Sequence, residues 1–205
     1  MDLSTPFQSM FPVVDSAALD VLTRSTKPRT GREVAKLAGR SQDATQRLLD
    51  RLVDHGLVLR RDAGRARVYE LNWDHVAAEP ISQLADLRAR LFQRLRESFE
   101  FWDPAPFHVS VFGSAARGDG DLNSDIDIFL VRPGGVAEDD EGWRRQVEAL
   151  ADSAFEWTGN HAGIAEVGHD ELKRLRQERP AIVKSINADA VVMAGVPVRS
   201  VLKGI

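Results

Sequence analysis

The stretch Phe107-His108-Val109-Ser110-Val111-Phe112-Gly113-Ser114-Ala115-Ala116-Arg117-Gly118-Asp119-Gly120-Asp121-Leu122-Asn123-Ser124-Asp125-Ile126-Asp127-Ile128-Phe129-Leu130-Val131 decides how the chain folds. It runs strand, Gly-Ser turn into a short helix, loop, strand. His108 to Phe112 and Ile126 to Val131 are apolar runs of the length of buried strands. Side chains alternate along a strand, so Asp125 and Asp127 share one face while Ile126 and Ile128 take the other. Two neighbouring carboxylates repel each other and are costly to bury, and a divalent cation relieves both penalties. Oxygen ligands with no Cys or His beside them select a hard ion, Mg2+ or Mn2+. Gly113 lets the backbone approach a phosphate, and the first helix amides and the Ser114 hydroxyl can donate to it. An anion site beside a cation site suits a nucleoside triphosphate (NTP) with its metal.

Gly113-Ser114, ten intervening residues and Asp125-x-Asp127 form the skeleton of a longer pattern, Gly-Ser-x-Ala-Arg-Gly through Ser-Asp-Ile-Asp. This resembles the signature of the DNA polymerase β-like nucleotidyltransferases, and within them the minimal branch. The resemblance covers roughly Ile81 to Leu202. It implies an α+β fold, a mixed sheet flanked by helices, that moves NMP from an NTP to an acceptor hydroxyl as pyrophosphate leaves. Asp125 and Asp127, with a third carboxylate from a neighbouring strand, would hold two Mg2+ (or Mn2+) ions and activate the acceptor. Glu166 is the single acid of the strand-like run His161 to Gly168 and is the candidate for that third position, where the family commonly has Asp. Gly113 and Ser114 would hold the terminal phosphates. Arg117 would contact the triphosphate or pin the loop. Ser124 is counted with the nucleotide-binding residues, although with Asn123 it also suits the turn into the strand. The acceptor implied is a protein, a tRNA end or a small molecule. Minimal nucleotidyltransferases act in toxin–antitoxin pairs, transferring AMP to a partner protein, which makes that pairing an expectation by analogy.

Downstream, Gly142 to Trp157 is amphipathic at helical spacing and stops at Thr158-Gly159-Asn160. Helices are also expected from Glu171, behind an Asp170 cap, and over Pro180 to Asn187, with a last strand over Ala190 to Met193. Lys184 suits solvent better than a phosphate, and His161 and His169 lack metal-ligand spacing. Upstream, Ile81, Leu84, Leu87, Leu91, Leu95, Phe99 and Trp102 form one stripe, predicting a single long helix from Pro80. Its arginines, Arg88, Arg90, Arg94 and Arg96, are interleaved with Asp86, Glu97 and Glu100 and read as a solvated face. Core packing explains the stripe, with a homodimer contact as the alternative.

The first 75 residues follow a different plan. A helix over Ser16 to Arg24, with Asp15 as its cap, precedes a capping box at Thr30-Gly31-Arg32-Glu33 and a short helix ending near Gly39. Ser41 caps a longer helix to His55, with Ala44, Leu48, Leu49, Leu52 and Val53 on its apolar face, and Gly56 ends it. Leu57 to Arg61 and Arg67 to Leu71 then form a hairpin around Asp62 to Ala66. This order resembles the winged helix-turn-helix of MarR and ArsR regulators over roughly Phe11 to Asn72. The resemblance implies DNA binding, with Gln42, Asp43, Thr45, Gln46 and Arg47 at base edges or phosphates and Arg60, Arg61, Arg65 and Arg67 on the backbone. A protein-interaction module is the alternative, and Asp43 and Asp50 on the recognition helix oppose phosphate.

Charge supports two domains, expected at 1–75 and 76–205. The first has 12 Lys and Arg against 10 Asp and Glu, the second 15 against 21, within a 205-residue chain of net charge −4. Bulk charge therefore cannot coat nucleic acid, and any contact must come from a local patch. The absence of cysteine excludes disulfide scaffolds, cysteine zinc sites, iron–sulfur clusters and thiol catalysis. No apolar run is long enough to span a bilayer and the N-terminal residues lack a signal-peptide pattern, so a cytoplasmic protein without membrane partners is the expectation. The rival to a transferase is a DNA-binding regulator whose second domain senses nucleotide without turnover.

Overall fold

The structure is a computed structural model that describes residues 13–120, 124–178 and 180–202. The chain divides into two compact units between Leu87 and Arg88, twelve residues beyond the expected boundary at 75/76.

The N-terminal unit contains α1 (Val13–Arg24), β1 (Arg29–Thr30), α2 (Gly31–Ala38), α3 (Gln42–Asp54), β2 (Val58–Ala63), β3 (Ala66–Leu71) and α4 (Ala78–Ala85). Helix α1 begins at Val13, two residues before the expected cap position at Asp15. The capping box forms as expected. The Thr30 hydroxyl accepts from the Glu33 amide at 3.3 Å, and Glu33 Oε2 accepts from the Thr30 amide at 2.7 Å. The bonds that Glu33 Oε2 accepts from the Thr30 amide and then from the Thr30 hydroxyl hold its carboxyl below the usual range. Ser41 caps α3 through the Ala44 amide. The hairpin is tighter than predicted, since Ala63 pairs with Ala66 and only Gly64-Arg65 remain in the turn. Strand β1 adds to β3, giving a three-stranded antiparallel sheet in the order β1-β3-β2. Three helices and a hairpin wing in this order make a winged helix-turn-helix.

The late boundary has a packing cause. Ala78 is buried with Ala18, Leu22 and Leu49, Ile81 packs on the same core, and Arg24 Nη2 donates to the Ala85 carbonyl at 2.8 Å. The expected single helix is interrupted at Asp86, and α5 runs Leu87–Phe99. The stripe therefore serves two cores: Ile81 belongs to the first, while Leu91, Leu95, Phe99 and Trp102 belong to the second.

The C-terminal unit continues with β4 (His108–Phe112), α6 (Gly113–Arg117), β5 (Ile126–Val131), α7 (Glu141–Thr158), β6 (Ala162–Val167), α8 (His169–Glu178), α9 (Ala181–Asp189), β7 (Val191–Gly195) and α10 (Val198–Leu202). The sheet order is β6-β5-β4-β7, with β5 and β6 parallel and β4 antiparallel to both β5 and β7, so the sheet is mixed as expected. Both faces are covered. Ile126, Ile128 and Leu130 pack with Leu95 and Trp143 beneath α5 and α7, whereas Phe112, Phe129 and Val131 pack with Leu172, Ile186 and Val201 of α8, α9 and α10. His108 is buried on β4 between the Val196 carbonyl at 2.7 Å and Ser110 Oγ at 2.9 Å, and burial pushes its pKa down.

Candidate nucleotide site and winged-helix surface

Asp127 pairs in register with Phe112 on one side and Gly163 on the other. Cross-strand partners share a face, so Asp127 lies on the Phe129 face, beneath α9. Gly113 opens α6 with φ +69°, a backbone conformation that favours glycine, and a Cβ there would collide with Asp127 Oδ2. A Cβ on Gly163 would come within 3.3 Å of Asp127 Oδ1. The two glycines thus make room for one carboxylate. Asp125 precedes the strand and is exposed, while Asp127 is half-buried. Burial, and then the charge of Asp125, push the Asp127 pKa up, with Asp189 adding to the effect and Arg117 opposing it.

Glu166 is not the third member of this group. It pairs with Leu130, which places it on the opposite face, three residues or ~10 Å along the strand from the Asp127 pair. There its Oε1 accepts from Arg132 Nη1 and from Trp143 Nε1, the latter at 2.7 Å. Arg132 is 6% exposed and Trp143 is fully buried, so Glu166 neutralises a buried guanidinium and satisfies an indole. The β6 residues facing Asp127 are Gly163, Ala165 and Val167, none of which can ligate through a side chain. Among the described residues no three acids or histidines converge on a metal-sized site. Of the three carboxylates expected around a metal, Asp125 and Asp127 lie close enough to affect each other and Glu166 does not join them.

The other nucleotide-site candidates gather near the pair. Ser114 Oγ lies where a Cβ on Gly120 would be 3.0 Å away, and the same position approaches Ser124, so Ser114 and Ser124 flank one turn of loop. The Ser124 carbonyl accepts from Asn160 Nδ2 at 2.9 Å, which ties the loop to the end of α7. Asn123 lies outside the described residues. Arg117 donates through Nε to Asp119 at 2.9 Å and through Nη1 to Asp189 at 2.6 Å. Asp189 lies outside the expected set. Its other oxygen accepts from the Gly113 amide at 3.2 Å. Lys184 is exposed, as anticipated. Arg88, read as solvated, instead donates to the Ala116 carbonyl at 3.1 Å and supports the end of α6, and Arg94 lies over the Trp157 ring.

The winged-helix surface also departs from expectation. Thr45 is fully buried with Leu48 and Leu49, so it faces the core and cannot read a base. Gln46 donates to Asp50 Oδ1 at 3.0 Å and to the Tyr69 hydroxyl at 2.9 Å, bracing α3 against β3. Gln42, Asp43 and Arg47 are exposed. Arg60 pairs with Asp50 at 3.7 Å and Arg61 with Glu70 at 2.7 Å. Arg65 and Arg67 are exposed and form no ion pair among the described residues. The candidate DNA contacts contract to Gln42, Arg47, Arg65 and Arg67.

A carboxyl whose pKa is raised by folding stabilises the fold below its unfolded pKa, and that contribution is lost as pH rises through the folded value. Asp127 therefore weakens the domain at neutral pH when no cation is present. Asp127→Asn is expected to raise the melting temperature by a few degrees in EDTA, with the gain shrinking in acid. Millimolar Mg2+ should stabilise the parent and leave Asp127→Asn unmoved. Thermal melts with and without Mg2+ check both, and equal stabilisation of the variant by Mg2+ contradicts the assignment.

Residues 92–193 match the nucleotidyltransferase domain family. No curated protein matches the chain in sequence. Among solved structures, a MarR family transcriptional regulator from Silicibacter pomeroyi DSS-3 matches at 26% identity, over 44% of this chain and 66% of that one, with a TM-score of 0.34. A superposition that weak carries no fold, and the winged helix rests on its own element order and sheet pairing. With the Gly113-Ser114 turn, the aspartate pair and the mixed sheet all inside the matched span, the C-terminal unit is a polymerase β-like nucleotidyltransferase domain, joined in this chain to an N-terminal winged helix-turn-helix.

Proposed function

We propose that the chain is a nucleotide-responsive DNA-binding protein, in which the nucleotidyltransferase domain takes up an NTP with a divalent cation and the winged helix binds DNA. One observation carries the choice of sensor over transferase: the β5–β6 register that turns Glu166 away from Asp127 and sets Gly163 opposite it. Asp125 and Asp127 would hold Mg2+ or Mn2+, and the metal would neutralise phosphate charge at the aspartate pair. Gly113 and Ser114 would bind phosphate oxygens through the α6 amides and the Ser114 hydroxyl. Glu166, the carboxylate expected to take a proton from an acceptor, lies on the other face of the sheet, and losing such a base costs on the order of 10²–10⁴ in rate.

The second reading, NMP transfer to a protein, tRNA or small-molecule acceptor, is favoured by the intact Gly113, Ser114, Asp125 and Asp127. Radiolabelled NTPs incubated with the protein, Mg2+ and lysate distinguish the two, alongside DNA affinity measured by anisotropy with and without Mg2+ and a non-hydrolysable NTP. The sensor reading expects a nucleotide-dependent change in DNA affinity and no label on macromolecules. Label transfer that Asp125→Ala abolishes would establish the transferase instead.

On the DNA side, the expected phosphate contacts with no ion pair among the described residues are Arg47, Arg65 and Arg67. Arg65→Ala and Arg67→Ala are each expected to reduce the slope of log affinity against log salt by about one and to weaken binding alike across sequences. Arg60→Ala and Arg61→Ala should change it less, because their charges already face Asp50 and Glu70. Band-shift titrations at several salt concentrations check this ordering. Equal loss at all four positions, or no DNA binding at any salt, contradicts it.

A further inference from the structure

Asp189 is the last residue of α9, where its charge faces the negative end of the helix dipole. A carboxylate is disfavoured there unless other donors compensate. Two do: the Gly113 amide, which donates to Oδ1 at 3.2 Å, and Arg117 Nη1, which donates to Oδ2 at 2.6 Å. The side chain is 11% exposed, so these bonds are largely shielded from water. Both donors belong to the Gly-Ser turn and short helix that would receive phosphate. A second nitrogen of Arg117, Nε, donates to Asp119. Asp119 and Asp189 thus both hold one guanidinium, whose charge also reaches Asp127, and an incoming phosphate meets donors already held by carboxylates of the same chain.

We propose that Asp189 stands in for a phosphate in the free protein, holding the Gly113 amide and Arg117 so that a metal-bound triphosphate must displace it. The proposal rests on the reading of this domain as a metal–NTP binder. It makes Asp189 an internal competitor that sets the nucleotide concentration at which the site fills. When only a fraction of molecules has the donors free, apparent affinity falls by that fraction. The triphosphate brings several oxygens and its own cation against one carboxylate, so it can win the exchange. Asp189 would then leave the end of α9, next to the start of β7, which gives nucleotide binding a local conformational consequence.

The test is calorimetric titration of Mg2+-ATP, and separately of Mg2+-tripolyphosphate, into the full chain and its Asp189→Asn and Asp189→Ala variants. Both variants are expected to bind both probes roughly tenfold tighter or more, as the competing carboxylate is lost. Measurable binding that is unchanged or weaker in cooperatively melting variants overturns the proposal and leaves Asp189 as a positioning residue for α6. Absence of binding in the parent and in both variants overturns the metal–NTP reading, and this proposal with it. If either variant melts without cooperativity, the parent alone decides. Its Asp189 carboxyl carbon and Gly113 amide resonances are followed by NMR through saturation with Mg2+-tripolyphosphate. Movement of both signals is expected, and a carboxyl signal that stays still at saturation overturns the proposal.

Discussion

Side chains alternate across a β-strand, and in a sheet covered on both faces that alternation assigns every residue to one of two interiors. In the C-terminal unit the even-numbered residues of β5, Ile126, Ile128 and Leu130, enter the core under α5 and α7, and the odd ones enter the core under α9. Asp127 is odd. It is the polar exception in a row completed by Phe129 and Val131, and it can be tolerated because it sits at the strand's start with Gly113 and Gly163 clearing space around it. The parallel register of β6 extends the same rule to Glu166 and sends it to the other interior. There it meets a buried Arg132 and the Trp143 indole, partners that would be left costly and unpaired if it turned away.

The electrostatics follow from that division. Glu166 and Arg132 neutralise each other within the sheet's α7-side interior. On the α9 side, the charges remain out of balance, with Asp125 and Asp127 together and Asp189 close enough to raise the Asp127 pKa. Arg117 answers two carboxylates at once, which draws its own pKa upward. A cation would stabilise an arrangement of this kind. The winged helix shows the same local logic with the opposite sign. Asp50 and Glu70 cancel two of the wing's arginines, and the positive charge that remains is carried by Arg65 and Arg67 at the hairpin tip and Arg47 on the recognition helix.

Much of this was legible in the sequence because it was encoded locally. The capping box at Thr30 to Glu33, the Ser41 cap, and the two apolar strands around the Gly-Ser turn each depend on residues within a few positions of one another. The face of Glu166 is not legible in the sequence because it depends on the pairing register with β5, which is not local. The run Ala162-Gly163-Ile164-Ala165-Glu166-Val167 is half-buried along its whole length and has no polar–apolar alternation from which to infer a face. Thr45 departs from expectation for a different reason. It lies three and four residues before Leu48 and Leu49, squarely on the buried stripe, and its hydroxyl obscured a position that spacing assigns to the core. Asp189 carried no motif, but an acid in the final turn of a helix was the available signal that something nearby compensates it. The domain boundary moved because Ala78 and Ile81 complete the first core, a contact invisible to charge composition.

The chemistry of the site depends on which carboxylates meet the metal. The most direct measurement is a crystal structure of the full chain with Mg2+ and a non-hydrolysable NTP. The prediction is a cation on Asp125 and Asp127, phosphate oxygens at Gly113 and Ser114, and Glu166 still bonded to Arg132 and Trp143 on the far face of the sheet. A cation ligated by Glu166, or a nucleotide bound away from the Gly113-Ser114 turn, would contradict it.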